Sequence, residues 1–346
     1  MVWDRIDALL ERSDSPPDVL RVHRVELLEA RRRQAAGLDL GPDLIADQTR
    51  AAVDELAVIP LLTRVRAAWD GPLVLMKGSE VALDYDATGL RSFGDLDLLT
   101  DDAAGAQAAL IAAGFREVFD PEIFDGLHHV RPLWWPGLPL VVELHTRPNW
   151  PAAIPGPSTE ELLAAAVPSR LPVPGISTLP PEHHTLLLAA HAWEHQPLGR
   201  LGNLVDVSVM LRRSDEAQVA RLARRWGCRR MWRTTRAAVR AVVDGDGHSL
   251  AVAVWARHLR GARERTVLEW HVKNLLAPLW GLPPQSALQA VAAELRVTAG
   301  RVRDEPWRAK VARVALALRN AGVARSEHRR ALEARGQRVN EYEGAG

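Results

Sequence analysis

The sequence predicts an α+β protein in which a small mixed sheet lies between a helical N-terminal segment and a helical C-terminal domain. Apolar residues recur at helical spacing through most of residues 1–70 and again from 182 to 335. Short Val- and Leu-rich runs, such as Leu73-Val74-Leu75-Met76 and Leu140-Val141-Val142, fall within residues 71–150. A Pro-rich stretch, 148–181, separates these runs from the second helical block. The expected divisions are N-terminal helices over 1–70, the core over 71–150, a linker over 151–181 and a helical domain over 182–346.

Val2 to Leu10 reads as a short amphipathic helix closed by Pro16-Pro17. Val19 to Ala36 and Pro42 to Trp69 each read as one helix, and Gly71-Pro72 turns the chain into a strand at 73–77. A helix over 79–87, a loop from Gly89 to Gly94 and a strand at 95–99 follow. Helix 102–113 ends at Gly114, a favoured C-cap. Strand-like segments near 115–119, 128–134 and 140–146 complete the sheet, with Pro136-Gly137 as a hairpin turn. One short helix at 158–166 interrupts the linker. The last block is helical, with breaks near Gly245-Asp246-Gly247 and Pro283-Pro284, and the last ten residues are expected to fray. There is no internal repeat.

With 346 residues and 47% hydrophobic content the chain can fill two domains. No apolar run approaches the ~20 residues that span a bilayer, and the N-terminus lacks a signal-peptide layout, so a cytoplasmic protein with no membrane partner is expected. The single cysteine, Cys228, excludes an internal disulfide and a cysteine-based zinc cluster. A net charge of +1 gives no overall field to recruit nucleic acid. Twelve tryptophans outnumber four phenylalanines and two tyrosines; most should fill cores, though Trp134, Trp135 and Trp150 flank the strand of Glu143, where one can stack a base.

The chemistry concentrates at Asp95-Leu96-Asp97. Residues i and i+2 of a strand share a face, so the two carboxylates project together and repel unless a cation lies between them. On repulsion alone, removing one of them should raise the melting temperature of the metal-free protein. An isolated Asp-x-Asp is more often a solvated edge, but Phe93, Leu98 and Leu99 place this one in an apolar strand. Glu143, inside Leu140-Val141-Val142-Glu143-Leu144, can supply a third carboxylate for a hard all-oxygen site suited to Mg²⁺. Gly78-Ser79, between a strand and a helical stretch, offers backbone N–H groups to a phosphate. Lys77 either neutralises a triphosphate or caps the strand. Arg91 either contacts phosphate or holds the loop by an ion pair. His145 shares the face of Glu143 and can line the cleft or orient a carboxylate. His128 and His129 have no assigned role.

Met76-Lys77-Gly78-Ser79, then Arg91-x-x-Gly94-Asp95-Leu96-Asp97-Leu98-Leu99, then Val142-Glu143-Leu144-His145, resemble the uncharacterised nucleotidyltransferase family of the polymerase-beta-like superfamily. The resemblance covers roughly residues 70–210. It implies a nucleotidyltransferase core with a phosphate turn at Gly78-Ser79, a metal pair at Asp95 and Asp97, and a third acid at Glu143. It further implies an NTP co-substrate, Mg²⁺, and a helix bearing His residues that packs on the core ahead of a Leu-x-Asp element at Leu204-Val205-Asp206. The acceptor is a hydroxyl of unidentified chemistry.

Two other segments compete. His191-Ala192-Trp193-Glu194-His195 matches the His-x-x-Glu-His pattern in which two histidines on one helical face grip Zn²⁺ beside a glutamate base, with His184 on the same face. The basic run Arg221–Arg240, with Trp226 and Trp232, invites a nucleic-acid reading, although arginines on the outside of one long helix explain it too. Three function classes therefore stand: a Mg²⁺-dependent nucleotidyltransferase, a zinc hydrolase, and an inert nucleotide-binding scaffold.

Overall fold

In the computed structural model, residues 2–118, 130–194, 196–299 and 307–334 are described. His128, His129, His195 and the C-terminal residues expected to fray lie outside them.

The chain starts with α1 (Val2–Ser13), α2 (Pro17–His23), α3 (Glu26–Ala35) and α4 (Gly41–Ala68). The single helix expected over 19–36 is broken at Arg24, which adopts the left-handed conformation at φ 54°, ψ 45°. That conformation costs a non-glycine residue roughly 1–2 kcal/mol. It is offset by the elbow it makes: His23 and Val25 on either side are each 1% exposed. Gly202 packs directly on this elbow, where a Cβ would come within 2.8 Å of the Arg24 carbonyl oxygen.

The sheet contains β1 (Val74–Leu75), β2 (Asp95–Leu99), β3 (Arg116–Glu117), β4 (Leu133–Trp134), β5 (Val141–His145), β6 (Val167–Pro168) and β7 (Ser177–Thr178). Its order is β3-β4-β5-β2-β1-β7-β6, with β2 parallel to β5 and antiparallel to β1. Between strands lie α5 (Ser79–Ala82), α6 (Ala103–Ala112) and α7 (Thr159–Ala165). The Asp102 carboxylate caps α6 by accepting from Gly105 N–H at 2.8 Å.

Two local expectations change. The helix expected over 79–87 ends after one turn, because the residues beyond it are held elsewhere. Asp84 pairs with Arg170 and Arg213, and the Tyr85 hydroxyl donates to Asp206 at 2.7 Å. The stretch 151–181, expected to run as a linker, carries β6 and β7 as well as α7, and β7 pairs in parallel with β1. Pro168 is tolerated because β6 lies at the sheet edge, where a missing N–H breaks no ladder.

The remainder is helical: α8 (Pro181–Glu194), α9 (Leu201–Leu211), α10 (Glu216–Arg225), α11 (Arg229–Val239), a π-helical turn (Arg240–Asp244), α12 (Leu250–Val254), α13 (Val267–Gly281), α14 (Pro284–Ala299), α15 (Trp307–Arg319) and α16 (Arg325–Glu333). The fold is thus α+β, a mixed sheet flanked by helical segments. Among the described residues no helix is long and apolar enough to cross a membrane.

Two cores meet at the sheet. One face packs on α4 and α6 through Leu61, Val65, Leu96, Leu98, Leu110 and Leu144. The larger core takes Val74, Met76 and Leu99 from the sheet into α1, α8, α9 and α11. Trp226 and Trp255 are fully buried, and Trp193 and Trp232 nearly so, as expected of core tryptophans.

Candidate active site

Alternation along β2 builds the site. Leu96 and Leu98 enter the α4–α6 core, which turns Asp95 and Asp97 to the opposite face. The parallel register sets Asp97 beside Glu143 and Leu99 beside His145. The Asp97 Oδ1 atom lies 3.1 Å from Lys77 Nζ and 3.1 Å from His145 Nε2, and that nitrogen lies 3.5 Å from Glu143 Oε2. Asp97, Glu143 and His145 each offer a ligand atom, all within 4.8 Å of one another. Asp97 and His145 are fully buried, whereas the Glu143 side chain is 21% exposed and opens the cluster to solvent. Asp95 projects from the same strand face but is not one of these three.

The charges are strongly coupled. Burial opposes ionisation of Asp97, but the Lys77 ammonium and His145 outweigh it and hold this carboxyl below the usual range. Burial and repulsion from Asp97 push Asp95 up. For Lys77, burial works against the charge, and Asp97 and Asp95 reverse that and raise its pKa. His145 is also raised, since hydrogen bonds to Asp97 and Glu143 overcome its burial. The pair of aspartates therefore splits into one firmly ionised group and one held closer to neutrality.

Asp97 Oδ2 is buried and has no hydrogen-bond partner among the described residues. A carboxylate oxygen left so costs several kcal/mol of lost solvation unless a cation meets it. Two carboxylates, one imidazole and this orphaned oxygen fit a divalent ion, with Asp95 close enough to interact electrostatically with Asp97 and Glu143.

Gly78 sits against the site at φ 69°, and a Cβ there would lie 3.2 Å from the Asp95 carbonyl oxygen. The positive φ favours glycine, and the close approach would leave any Cβ crowded against Asp95. Ser79 is buried and its hydroxyl has no hydrogen-bond partner among the described residues. Arg91 lies beneath this turn. It clasps Asp206 of α9 through two N–H···O bonds of 2.8 and 2.9 Å and donates to the Gly78 carbonyl at 3.1 Å. Burial opposes its charge, but Asp206 dominates and the guanidinium stays cationic. Of the two roles open to Arg91, the structure displays the ion pair, and that pair ties the Gly78-Ser79 turn to α9.

Two arginines that belong to no sequence motif, Arg24 and Arg200, converge here, together with Glu194 of the His-x-x-Glu-His segment. The Arg24 cation, exposed on the α2–α3 elbow, acts with Lys77 against the rise that burial and Asp97 impose on Asp95. Arg200, half-buried, is itself lowered by burial and by Arg24. Glu194 of α8 is raised by burial and feels Lys77 and His145. Arg24 carries no local signal, since it lies within a helically periodic stretch and only the elbow aims it.

His191 Nδ1 and Glu194 Oε2 are 3.9 Å apart on α8, and His195 lies outside the described residues. Among the described residues these two are joined by no third ligand, and the only three-residue group is Asp97, Glu143 and His145. His184 is buried, its pKa pushed down to about 4 by desolvation. Trp135 packs edge-on against Phe115 and beneath the Arg64 guanidinium, and Trp150 packs edge-on against Trp226.

A family model described as uncharacterised nucleotidyltransferase matches residues 18–244, more than half of the chain. The match runs from α2 through the sheet and its carboxylates to the π-helical turn. No curated protein and no solved structure matches.

Proposed function

The chain belongs to the uncharacterised nucleotidyltransferase family, and we propose that it moves a nucleoside monophosphate from an NTP to a hydroxyl of a small molecule or protein. Asp95, Asp97 and Glu143 would hold Mg²⁺, and His145 would add to or orient that set. The observation that carries this reading is the orphaned, buried Oδ2 of Asp97 beside Glu143 on a parallel neighbour. A divalent ion bound there supplies charge neutralisation to phosphoryl oxygens.

The protein's own groups do the rest. Gly78 lets the backbone approach the triphosphate, with the Ser79 hydroxyl as a free donor. Lys77 holds Asp97 ionised and in place, and its ammonium is available to a phosphate oxygen. Arg91 positions the turn rather than the nucleotide. Glu143, the carboxylate open to solvent, faces the acceptor and helps take its proton for in-line attack on the α-phosphorus, which breaks the bond to the bridging oxygen and releases pyrophosphate. The same reading places the protein in the cytoplasm, where NTP and Mg²⁺ are supplied.

The test is transfer of radiolabel from [α-³²P]NTP to acceptors in a metabolite and protein extract, with and without Mg²⁺. Glu143→Gln should keep most NTP affinity by titration calorimetry while turnover falls about 10²–10³-fold. Equal loss of affinity in Glu143→Gln and Asp97→Asn would argue against this division of roles.

A further inference from the structure

The basic run Arg221–Arg240 does not form one long helix. It breaks at Trp226-Gly227-Cys228, with Gly227 at φ +68°, into α10 and α11. Along α11 and the following π-helical turn, Arg229, Arg233, Arg236 and Arg240 recur at steps of four, three and four, which aligns them on one face. Like charges at this spacing repel, and α11 contains no acid of its own to relieve them. Arg236 is paired with Glu216 and Asp244 at 2.9 Å each, and Arg240 reaches Asp246 at 3.4 Å. Arg224, Arg229 and Arg233 are exposed and have no carboxylate partner among the described residues.

These arginines line a surface groove of about 700 Å³. A second groove of about 520 Å³ shares Arg233 and His248 with it and is walled by Leu250, Leu279 and Trp280. Leu250 is 71% exposed, an aliphatic side chain left in water next to unpaired cations. A single-stranded nucleic acid would want aromatic faces for its bases. Here Trp232 is buried, 4% exposed, and the second wall carries one half-buried tryptophan, Trp280, beside Leu250 and Leu279. An arginine wall beside an apolar wall of Leu250, Leu279 and Trp280 complements a helix with one acidic and one apolar face.

We propose that these joined grooves dock an acidic amphipathic helix of a protein partner, its carboxylates on Arg224, Arg229 and Arg233 and its aliphatic face on Leu250, Leu279 and Trp280. The surface shares no residue with the Asp97 cluster, so the proposal stands apart from the nucleotidyl-transfer reading.

Fluorescence anisotropy on the full chain tests it. The probe is a labelled peptide of about five helical turns with Glu on one face and Leu on the other. Comparators are its scrambled form and a labelled single-stranded RNA of similar length. The patterned peptide should bind at least about tenfold tighter than the scrambled one, and binding should weaken as salt rises. The double variant Arg229→Glu, Arg233→Glu should lose about tenfold or more, and Leu250→Asp should lose affinity as well. All three positions are exposed, and an unchanged thermal melt verifies that the variants fold. RNA binding tighter than the peptide, and lost in the arginine variant, would replace the helix by nucleic acid. Peptide binding that ignores both variants, or no preference for the patterned peptide, would overturn the proposal.

Discussion

The two faces of the β2–β5 pair are built from alternate residues of the same ten-residue ladder, yet they solve opposite problems. On one face Leu96, Leu98, Val142 and Leu144 are all 0% exposed and press on α4 and α6. On the other, Asp97 and His145 are equally buried, while Asp95 and Glu143 beside them are only partly covered. The apolar face gains about 1.5–3 kcal/mol for each large side chain removed from water. The polar face is costly to desolvate, and only mutual pairing among Lys77, Asp97 and His145 makes it tolerable. One face holds the sheet together, and the other gathers the groups to which nucleotidyl transfer is proposed to belong.

The largest test of this contrast is Asp97→Asn, which preserves shape and removes charge. Nucleotidyl transfer should fall by about 10⁴-fold, roughly 5.5 kcal/mol, in a radiolabel assay. Turnover close to wild type would remove Asp97 from the chemistry. The same residue corrects the repulsion argument. Asp97 is the anion on which two buried cationic or titrating groups converge. Asp97→Ala should therefore lower the melting temperature of the metal-free protein rather than raise it, with a cost of about 3–5 kcal/mol.

Leu98→Ala probes the opposite face. It should cost about 2–5 kcal/mol by denaturant unfolding while activity per folded molecule stays near wild type. A selective loss of activity without loss of stability would mean the faces are not separable.

A comparable effect comes from pH and lies away from both faces. His23 donates through Nε2 to the Arg263 carbonyl and accepts at Nδ1 from Leu201 N–H, so the neutral ring is satisfied on both sides. Burial depresses its pKa from 6.5 to about 4. The folded state then binds fewer protons than the unfolded chain, and stability is lost as pH falls from 6.5 towards 4. The loss should reach about 3 kcal/mol in urea titrations, and His23→Ala should flatten that pH slope.

The smallest expected effect belongs to Gly78→Val. Its strained backbone and crowding against Asp95 should weaken binding of a non-hydrolysable NTP by about tenfold, whereas His191→Ala should leave it nearly unchanged. Zinc lost from the His191 variant, together with normal nucleotide binding by Gly78→Val, would favour the zinc-hydrolase alternative.

Much of this was legible in the residues. The period-two alternation in Asp95–Leu99 specifies which side chains share a face, and the apolar run around Glu143 marks a buried neighbour. Gly78 is favoured because glycine takes its backbone angles without strain. Local periodicity also placed α1, α4, α6 and α7 within a few residues. What local pattern cannot carry is which distant groups will meet. The early end of α5 depends on Asp206, Arg170 and Arg213, more than eighty residues away along the chain. The elbow at Arg24 depends on Gly202, and the pairing of β7 with β1 turns a Pro-rich stretch into sheet. The charge state of the site was likewise settled in three dimensions. Two adjacent aspartates repel in sequence, but burial, Lys77 and His145 decide that Asp97 stays ionised while Asp95 is pushed up. Sequence by itself determined the faces and the donor types, because these follow from strand geometry and side-chain chemistry. The tertiary structure decided partners and protonation, because desolvation and Coulomb energy depend on distances that only the folded chain sets.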